Sequence, residues 1–589
     1  MVFRAIFLSI TVIFVYGLAS PAYAATPFFV DSGYDWRSRD SITATPRYEG
    51  NRARYYIDDE YWGSLALSQQ QSLIGNISVL SQAYDRDIYN QITRIFGLEW
   101  LPGIDNDVKI TILLTRMIDD AGGYFLPKDE YPRSQIANSN EREMIYLNVT
   151  HLGFPRAKAF LAHELQHLIN YNQKTRRYGV EEEVWLNEIL SEVTSTLVGF
   201  DDEYEGSNLQ NRVQALLRQP DDALIDWGGG AKDYGGANLF GHYLYEQYGK
   251  ELFTRISQSP EVGIEAINDA LAGIGAKKQF QDVFTDWVIT LLLNDCAIAP
   301  QDTYCYKNSN LAADKLRISF SLTTAQNTQK VSFGETTKDW AGNWFLYKAA
   351  AITSSQPQDH IFYFTFDGSV PSNFTVPYVV FGTDGSKTIR RMKVADGDGG
   401  FAVADFGRLI KEVVIMPINQ YTSKGTMGKT AFTRFMMDAQ LLNKVPAGVD
   451  FFDISAPLPI IGAEDSGTQV KSTKEVEELV FFPEGSLIRA EGRPEVYIVK
   501  GQYRRWIQTA ELFEMYGNLR WEDIVTVSQE QMDFYTESFV IKLAGDPRVF
   551  IAGSDGTKQW IQTEQEFLAR GYHWNMIYTV NEKEFDWFK

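Results

Sequence analysis

The sequence predicts an α+β protein built in sections, and three observations predict it. Apolar residues recur at helical spacing through most of residues 25–312, with only two strand-like runs among them. The period then shortens to two over residues 313–445, the pattern of an all-β sandwich. Finally, residues 481–589 hold one unit written twice.

The chain opens on Met1-Val2-Phe3-Arg4, continues with an apolar stretch from Ala5 to Leu18, and reaches Ser20-Pro21-Ala22-Tyr23-Ala24. A basic start, a short apolar core and a small-x-small site predict a signal peptide over residues 1–24, cut after Ala24. The apolar stretch is shorter than the roughly 20 residues that span a bilayer, and no later run is long and apolar enough to do so. The expected location is therefore outside the cytoplasm: secreted, at the cell surface or periplasmic. A formal charge of −21 argues against nucleic acid or an anionic membrane as partner, since both select basic patches. The two cysteines, Cys296 and Cys305, predict one local disulfide in an exported chain.

From Trp62 to Phe96 the apolar residues Leu73, Ile77, Leu80, Tyr84, Ile88, Ile92 and Ile95 form a helical stripe. Val108 to Leu114 reads as a buried strand, and Met144 to Val149 as a second. Between them Asp119 to Pro127 is a glycine-rich loop, fit for the rim of a cleft.

Residues 156–173 carry the chemistry. Here His163, Glu164 and His167 fall in the order His-Glu-x-x-His on one predicted helix. Residues four apart share a helix face, so both imidazoles can reach one ion at roughly 2.0–2.1 Å, the Zn–N distance. Glu164 lies one step round the helix, beside the metal, where it can take a proton from a metal-activated water. Phe160, Leu161, Leu165, Leu168 and Ile169 suit burial of the flanks. A catalytic zinc needs a third protein ligand and an open position. The acidic helix from Glu181 to Glu192 supplies the candidate, Glu188, 21 residues after His167. One turn later Glu192 can accept a hydrogen bond from the far nitrogen of a liganding histidine and fix its tautomer.

The run Asn187-Glu188-x-x-Ser191-Glu192, following His163-Glu164-x-x-His167, resembles the gluzincin metallopeptidases, the thermolysin-like group, and most closely their hyicolysin-like branch. The resemblance extends through Gly103 to Asp107, Gly123-Tyr124-Phe125, Ser139-Asn140-Glu141 and Asp233-Tyr234-Gly235-Gly236, and so over most of residues 50–300. One departure is Ile189, where related enzymes often carry glycine. The resemblance implies a thermolysin-like zincin fold for residues 25–312. It implies one zinc ion held by His163, His167 and Glu188, with Glu164 as general base and Glu192 behind a ligand. It also implies a protein or peptide substrate, added as an extra strand to a sheet edge, with Met144 to Val149 the expected edge. A Tyr or His from a downstream helix should meet the oxyanion; Tyr234 fits that place, with His242 competing but set among packed apolar neighbours.

Helical patterns continue over Val262–Ile274 and Phe280–Leu293. In the expected sandwich Leu316, Ile318, Phe320 and Leu322 alternate, as do Phe362, Phe364 and Phe366. Asp396-Gly397-Asp398-Gly399-Gly400 offers oxygens to Ca2+ but lacks the spacing and terminal Glu of a calcium loop, so it reads as a tight turn. Residues 446–480 read as a linker, with Pro, Gly, Ser and Thr spread over Ser455–Thr473. In the repeat, Val496 through Trp506-Ile507-Gln508-Thr509, Phe513, Gly517 and Trp521 realigns with Val549 through Trp560-Ile561-Gln562-Thr563, Phe567, Gly571 and Trp574. Each unit predicts two short strands, a Thr-started helix and a closing strand. Its aromatics suit either a cell-surface polymer or, more simply, a small core.

The expected function is an exported zinc endopeptidase. A zinc aminopeptidase is a second reading, but no Gly-rich exopeptidase signature precedes the zinc helix. A non-catalytic surface protein that kept the fold is the third, and the intact Glu164 argues against it.

Overall fold

The computed structural model describes residues 24–119, 121–299, 303–318, 331–349, 361–369, 372–421 and 432–453. Toward the C-terminus it describes 482, 485–500, 503–517, 519–533, 535–543, 546–563, 566–567, 570, 572 and 576–589. The expected signal peptide up to residue 23, Phe320 and Leu322, most of the expected linker, and Gly571 and Trp574 lie outside these. Two compact units result: residues 1–220 with 227–318, and residues 221–226 with 319–589.

The first unit begins with β1 (Thr26–Phe29), β2 (Ser41–Glu49) and β3 (Ala53–Asp58). After α1 (Asp59–Ser64) comes the long apolar stripe. It forms α2 (Leu67–Ala83), a π-helical segment Tyr84–Ile88 and α3 (Tyr89–Phe96), and all seven residues of the stripe are buried. The two expected strands follow as β4 (Ile110–Thr115) and β6 (Met144–Asn148), with a two-residue strand β5 (Gly123–Tyr124) between them in sequence. The sheet order is β1-β2-β3-β4-β6-β5, with β3, β4 and β6 parallel and β5 antiparallel to β6.

This order corrects one expectation. Residues 144–149 do not form the sheet edge; β6 is flanked by β4 and β5, and all five of its residues are buried. The edge is β5, supplied by the glycine-rich loop. An unbroken apolar run is what a strand covered on both faces requires, so the strong signal marked an interior strand.

Helix α4 (Arg156–Asn170) packs across β5 and β6. Its Leu161, Leu165, Leu168 and Ile169 are at most 1% exposed, and each stabilises the unit by about 1.5–3 kcal/mol. Glycine is required where β5 meets this helix. A Cβ at Gly123 would lie 2.7 Å from the Tyr146 carbonyl oxygen and 3.1 Å from Cγ of Glu164, and one at Gly122 would lie 2.6 Å from the Phe160 ring.

Helix α4 runs on into a π-helical segment, Tyr171–Arg176. There the fully buried Lys174 pairs with Glu182 at 2.9 Å and donates to the Glu261 carbonyl at 2.5 Å. That pair anchors the turn into α5 (Val184–Glu192) and so sets where Glu188 stands relative to the histidines. After α6 (Thr194–Leu197) and α7 (Asn208–Arg218), α8 (Ala231–Tyr248) crosses α5. Glycine is required at Gly241 of α8, where a Cβ would lie 2.5 Å from Cγ1 of Val193 and 3.2 and 3.3 Å from the carbonyl oxygen and Cγ2 of Ile189. Helices α9 (Lys250–Gln258), α10 (Gly263–Gly273) and α11 (Phe280–Leu293) complete the unit, and Cys296 and Cys305 are disulfide-bonded.

In the second unit two sheets enclose one aromatic core. Tyr347, Val376, Tyr378, Val413 and Ile415 come from one sheet and Phe362, Phe364, Phe401, Phe435 and Met437 from the other, with Tyr378 stacked on Phe401 at 3.8 Å. Asp396 and Gly397, both at positive φ, form the two-residue turn between Val394–Ala395 and Asp398–Val403, which agrees with the tight-turn reading. Each repeat carries one strand more than expected before its helix position. The first has Leu487–Ala490, Val496–Lys500 and Tyr503–Ile507, then the helix Ala510–Met515 and the strand Ile524–Val527. The second has Val540–Leu543, Val549–Ala552, Lys558–Ile561 and Tyr578–Val580. Tyr503, Phe513, Phe550, Phe567 and Tyr578 are spent on the repeat cores. No helix among the described residues is long and apolar enough to cross a membrane.

Candidate metal centre

Helical spacing brings His163 and His167 onto one face of α4, and α5 carries Glu188 to meet them. The two Nε2 atoms are 3.1 Å apart; Glu188 Oε2 lies 3.3 Å from Nε2 of His163 and Oε1 lies 3.7 Å from Nε2 of His167. One donor atom from each residue falls within 4.8 Å of the others, so the group could hold a metal ion. Donors about 2.0–2.1 Å from a tetrahedral ion stand roughly 3.3–3.4 Å apart, and the two imidazole nitrogens and the carboxylate oxygen facing each of them lie near that spacing.

The outward nitrogens are also engaged. His163 Nδ1 faces Glu192 Oε1 at 3.4 Å, and His167 Nδ1 lies 3.1 Å from Ser191 Oγ. Ser191 donates its one proton toward Gln166 Oε1, which leaves the hydroxyl oxygen to accept from His167 Nδ1–H. Both imidazoles are thereby biased toward Nδ1–H tautomers, with the Nε2 lone pairs turned to the common focus. Glu192 is itself gripped by Arg212 of α7, through Nε at 2.7 Å and Nη2 at 2.9 Å, and by Asn238 Nδ2 at 3.3 Å. The order Asn187-Glu188-x-x-Ser191-Glu192 therefore places a donor or acceptor behind each histidine.

Glu164 points from the same helix into the cleft, against β5. Burial pushes its carboxyl up to about 8; charge on His163 opposes the shift, while Glu188 and Glu192 add to it. For His163, burial disfavours the charged form, but Glu188, Glu164 and Glu192 outweigh it and raise the imidazole to about 9. For His167 burial prevails, and its value falls below the ordinary one.

Tyr234, in the first turn of α8, lines the same cleft, with Trp227 edge-on to its ring at 5.0 Å and the Arg212 guanidinium over it at 4.6 Å. Burial, then Glu188, Glu192 and Glu164, raise its phenol, so it remains an O–H donor. His242 is not part of the cleft. It is buried on α8, with Nδ1 at 2.8 Å from the Asn238 carbonyl oxygen and Nε2 at 2.7 Å from Thr196 Oγ1. Among the cleft residues that escaped the sequence reading are Arg212 and Tyr34, the latter stacked on Tyr124 of β5 at 4.9 Å. A lone Arg on an amphipathic helix and a lone Tyr in a loop carry no spacing signal.

An α+β unit thus carries two imidazoles and a carboxylate that could hold a metal ion, with a further carboxylate beside them. A curated relative agrees: the neutral metalloprotease ShpI of Staphylococcus hyicus is 27% identical over 258 residues, 39% of this chain and 54% of that protein. The likeness supports a metalloprotease family, and the chain spans about half the length of the relative it matches. No protein-family model matches the chain. Among solved structures, the Yersinia pseudotuberculosis-derived mitogen matches 21% of this chain and 93% of its own at 10% identity; its TM-score of 0.14 carries no argument about fold.

Proposed function

We propose that the protein is an exported zinc endopeptidase. The observation that carries this reading is the convergence of His163, His167 and Glu188 on one focus with Glu164 beside it. A zinc ion held by these three residues would supply a Lewis acid that makes water a nucleophile near neutral pH and polarises the scissile carbonyl. Glu164 takes the proton from the attacking water as the C–O bond forms, and gives it to the amine as the C–N bond breaks. Tyr234 donates its phenolic hydrogen to the carbonyl oxygen as negative charge builds there. Glu192, fixed by Arg212, keeps His163 in the tautomer that presents Nε2. The peptide adds to β5, the last strand of the sheet, where Gly123 packs against Glu164.

The test compares casein digestion by the wild type and by Glu164→Gln, each with measured zinc content. The expected result is a fall in rate of about 10²–10⁴ with zinc retained. Equal digestion by both proteins would remove Glu164 from the reaction.

A further inference from the structure

At the edge of the first unit's sheet, one aromatic ring stands where no strand supplies it. Tyr146 of β6 and Tyr124 of β5 are direct cross-strand partners, and their rings stack at 4.2 Å with 18° between the planes. Tyr34, from the loop between β1 and β2, stacks on Tyr124 in turn, at 4.9 Å and 19°. One face of the Tyr124 ring is taken by Tyr146, so Tyr34 covers the face turned away from β6. Neighbouring strands lie about 4.7–4.9 Å apart, so the three rings step across the sheet one strand at a time. Since β5 is last in the sheet order, the Tyr34 ring occupies the place of a side chain from one further strand.

The loop holds the ring there. The Tyr34 amide donates to the Asp31 carbonyl at 3.1 Å, and the Tyr34 carbonyl accepts the Ile118 amide at 2.9 Å. Next along, Asp35 is 3% exposed; its Oδ1 accepts the amides of Arg37 and Arg39 at 2.9 and 3.1 Å, and its Oδ2 accepts the Arg39 guanidinium at 2.8 Å. Trp36 lies against the guanidinium groups of Arg37 and Arg116, each 4.2 Å from its ring. Even so, Tyr34 is 41% exposed and lines the cleft together with Glu164.

Successive side chains of a strand point to opposite faces of the sheet. Gly123 faces α4, since a Cβ there would lie 3.1 Å from Cγ of Glu164; Tyr124 faces the other side, where it joins Phe28, Tyr56 and Leu113 in one core. A peptide added to β5 obeys the same alternation. Its residue paired with Gly123 turns toward α4, and its residue paired with Tyr124 turns into the place that Tyr34 fills. We propose that Tyr34 is a specificity-determining residue, which admits only glycine or alanine at that one position of the peptide and does not act on the positions on either side. This rests on the reading that the peptide adds to β5.

The experiment is steady-state cleavage of a fluorogenic peptide series by the zinc-loaded full chain, beside Tyr34→Ala, Tyr34→Phe and Glu164→Gln. Each residue from the third before to the third after the scissile bond is set in turn to Gly, Ala or Phe. At one position the wild type should cut the glycine peptide about 100-fold faster, in kcat/KM, than the phenylalanine peptide, and Tyr34→Ala should bring that ratio to within about 10-fold. The ratios at the two neighbouring positions should stay as they were. Tyr34→Phe keeps the ring and should keep the wild-type ratio throughout. A loss in Tyr34→Ala that is equal at every position, or a wild type that rejects phenylalanine at none, would overturn the proposal. The two readings fail separately. With Glu164→Gln inactive and the Tyr34→Ala profile unchanged, the metal centre stands and the role of Tyr34 falls; undiminished cleavage by Glu164→Gln removes the reaction, and this role with it.

Discussion

Replacement of Glu192 by Gln tests how the cleft is held. The carboxylate is 1% exposed and meets three partners: His163 Nδ1 at 3.4 Å, Arg212 at 2.7 and 2.9 Å, and Asn238 Nδ2 at 3.3 Å. An amide keeps the shape but removes the charge that makes the imidazole a better donor to a metal. Loss of such a support costs about 10–100-fold in metal affinity, or about 1.4–2.8 kcal/mol. The same change strips Arg212 of its carboxylate. Breaking a buried pair from one side costs about 3–5 kcal/mol, discounted here because the Arg212 side chain is 20% exposed, so about 2–3 kcal/mol is expected. Arg212→Met breaks the pair from the other side. It should cost the zinc-free protein a similar amount of stability, yet leave Glu192 in place behind His163. The two variants should therefore match in urea denaturation of the zinc-free protein and differ in zinc affinity, measured by competition with a chromogenic chelator. If Glu192→Gln binds zinc as tightly as the wild type, the contact with His163 does not support the metal, and the account of the cleft fails at that point.

Tyr234→Phe removes one hydroxyl and should lower kcat by about 10²–10³ with KM changed only a few-fold; an unchanged kcat in steady-state peptide hydrolysis would free Tyr234 of the oxyanion role. Gly123→Ala should destabilise the first unit by about 1–3 kcal/mol in urea titration and raise KM more than it lowers kcat, because the new methyl meets the Tyr146 carbonyl oxygen at 2.7 Å and displaces β5. Asp129, raised to about 6 by burial despite hydrogen bonds from Tyr146 and Asn140, has a folded value above its unfolded one. Its contribution is therefore present at low pH and lost as pH rises from about 4 through about 6, so Asp129→Asn should flatten stability over that window by about 2–3 kcal/mol; an identical pH profile in chemical denaturation would refute this.

The parts legible in the sequence are those where chemistry imposes a period. Four-residue spacing set His163 and His167 together, and the same spacing linked Glu188 to Glu192 on α5. The seven-residue apolar stripe across α2 and α3 was readable although a π-helical segment lies within it, since the intervals of three and four residues continue through Tyr84 and Ile88. The sheet edge was not readable. Two residues, one of them glycine, show no alternation, and what makes Gly123–Tyr124 a strand is the partner β6 and the helix lying on it. Arg212 was missed for a related reason. Its meaning comes from the carboxylate it touches across helices at 2.7 Å, and pattern within one helix is silent about the next.

The duplicated modules near the C-terminus have exchanged parts of their interiors. Arg505, on a strand of the first, is bound inside by Glu584 from the helix Glu582–Trp587 that follows the second, and Tyr516 of the first joins the same carboxylate. Tyr578 of the second donates to the Tyr503 carbonyl of the first at 2.8 Å, and Lys500 reaches the Ile577 carbonyl at 2.6 Å. What reads in the sequence as two beads on a string is a clasp. A cut between the copies would leave a charged guanidinium stranded in one half and a carboxylate in the other, so they should melt, travel and be engineered as a single piece.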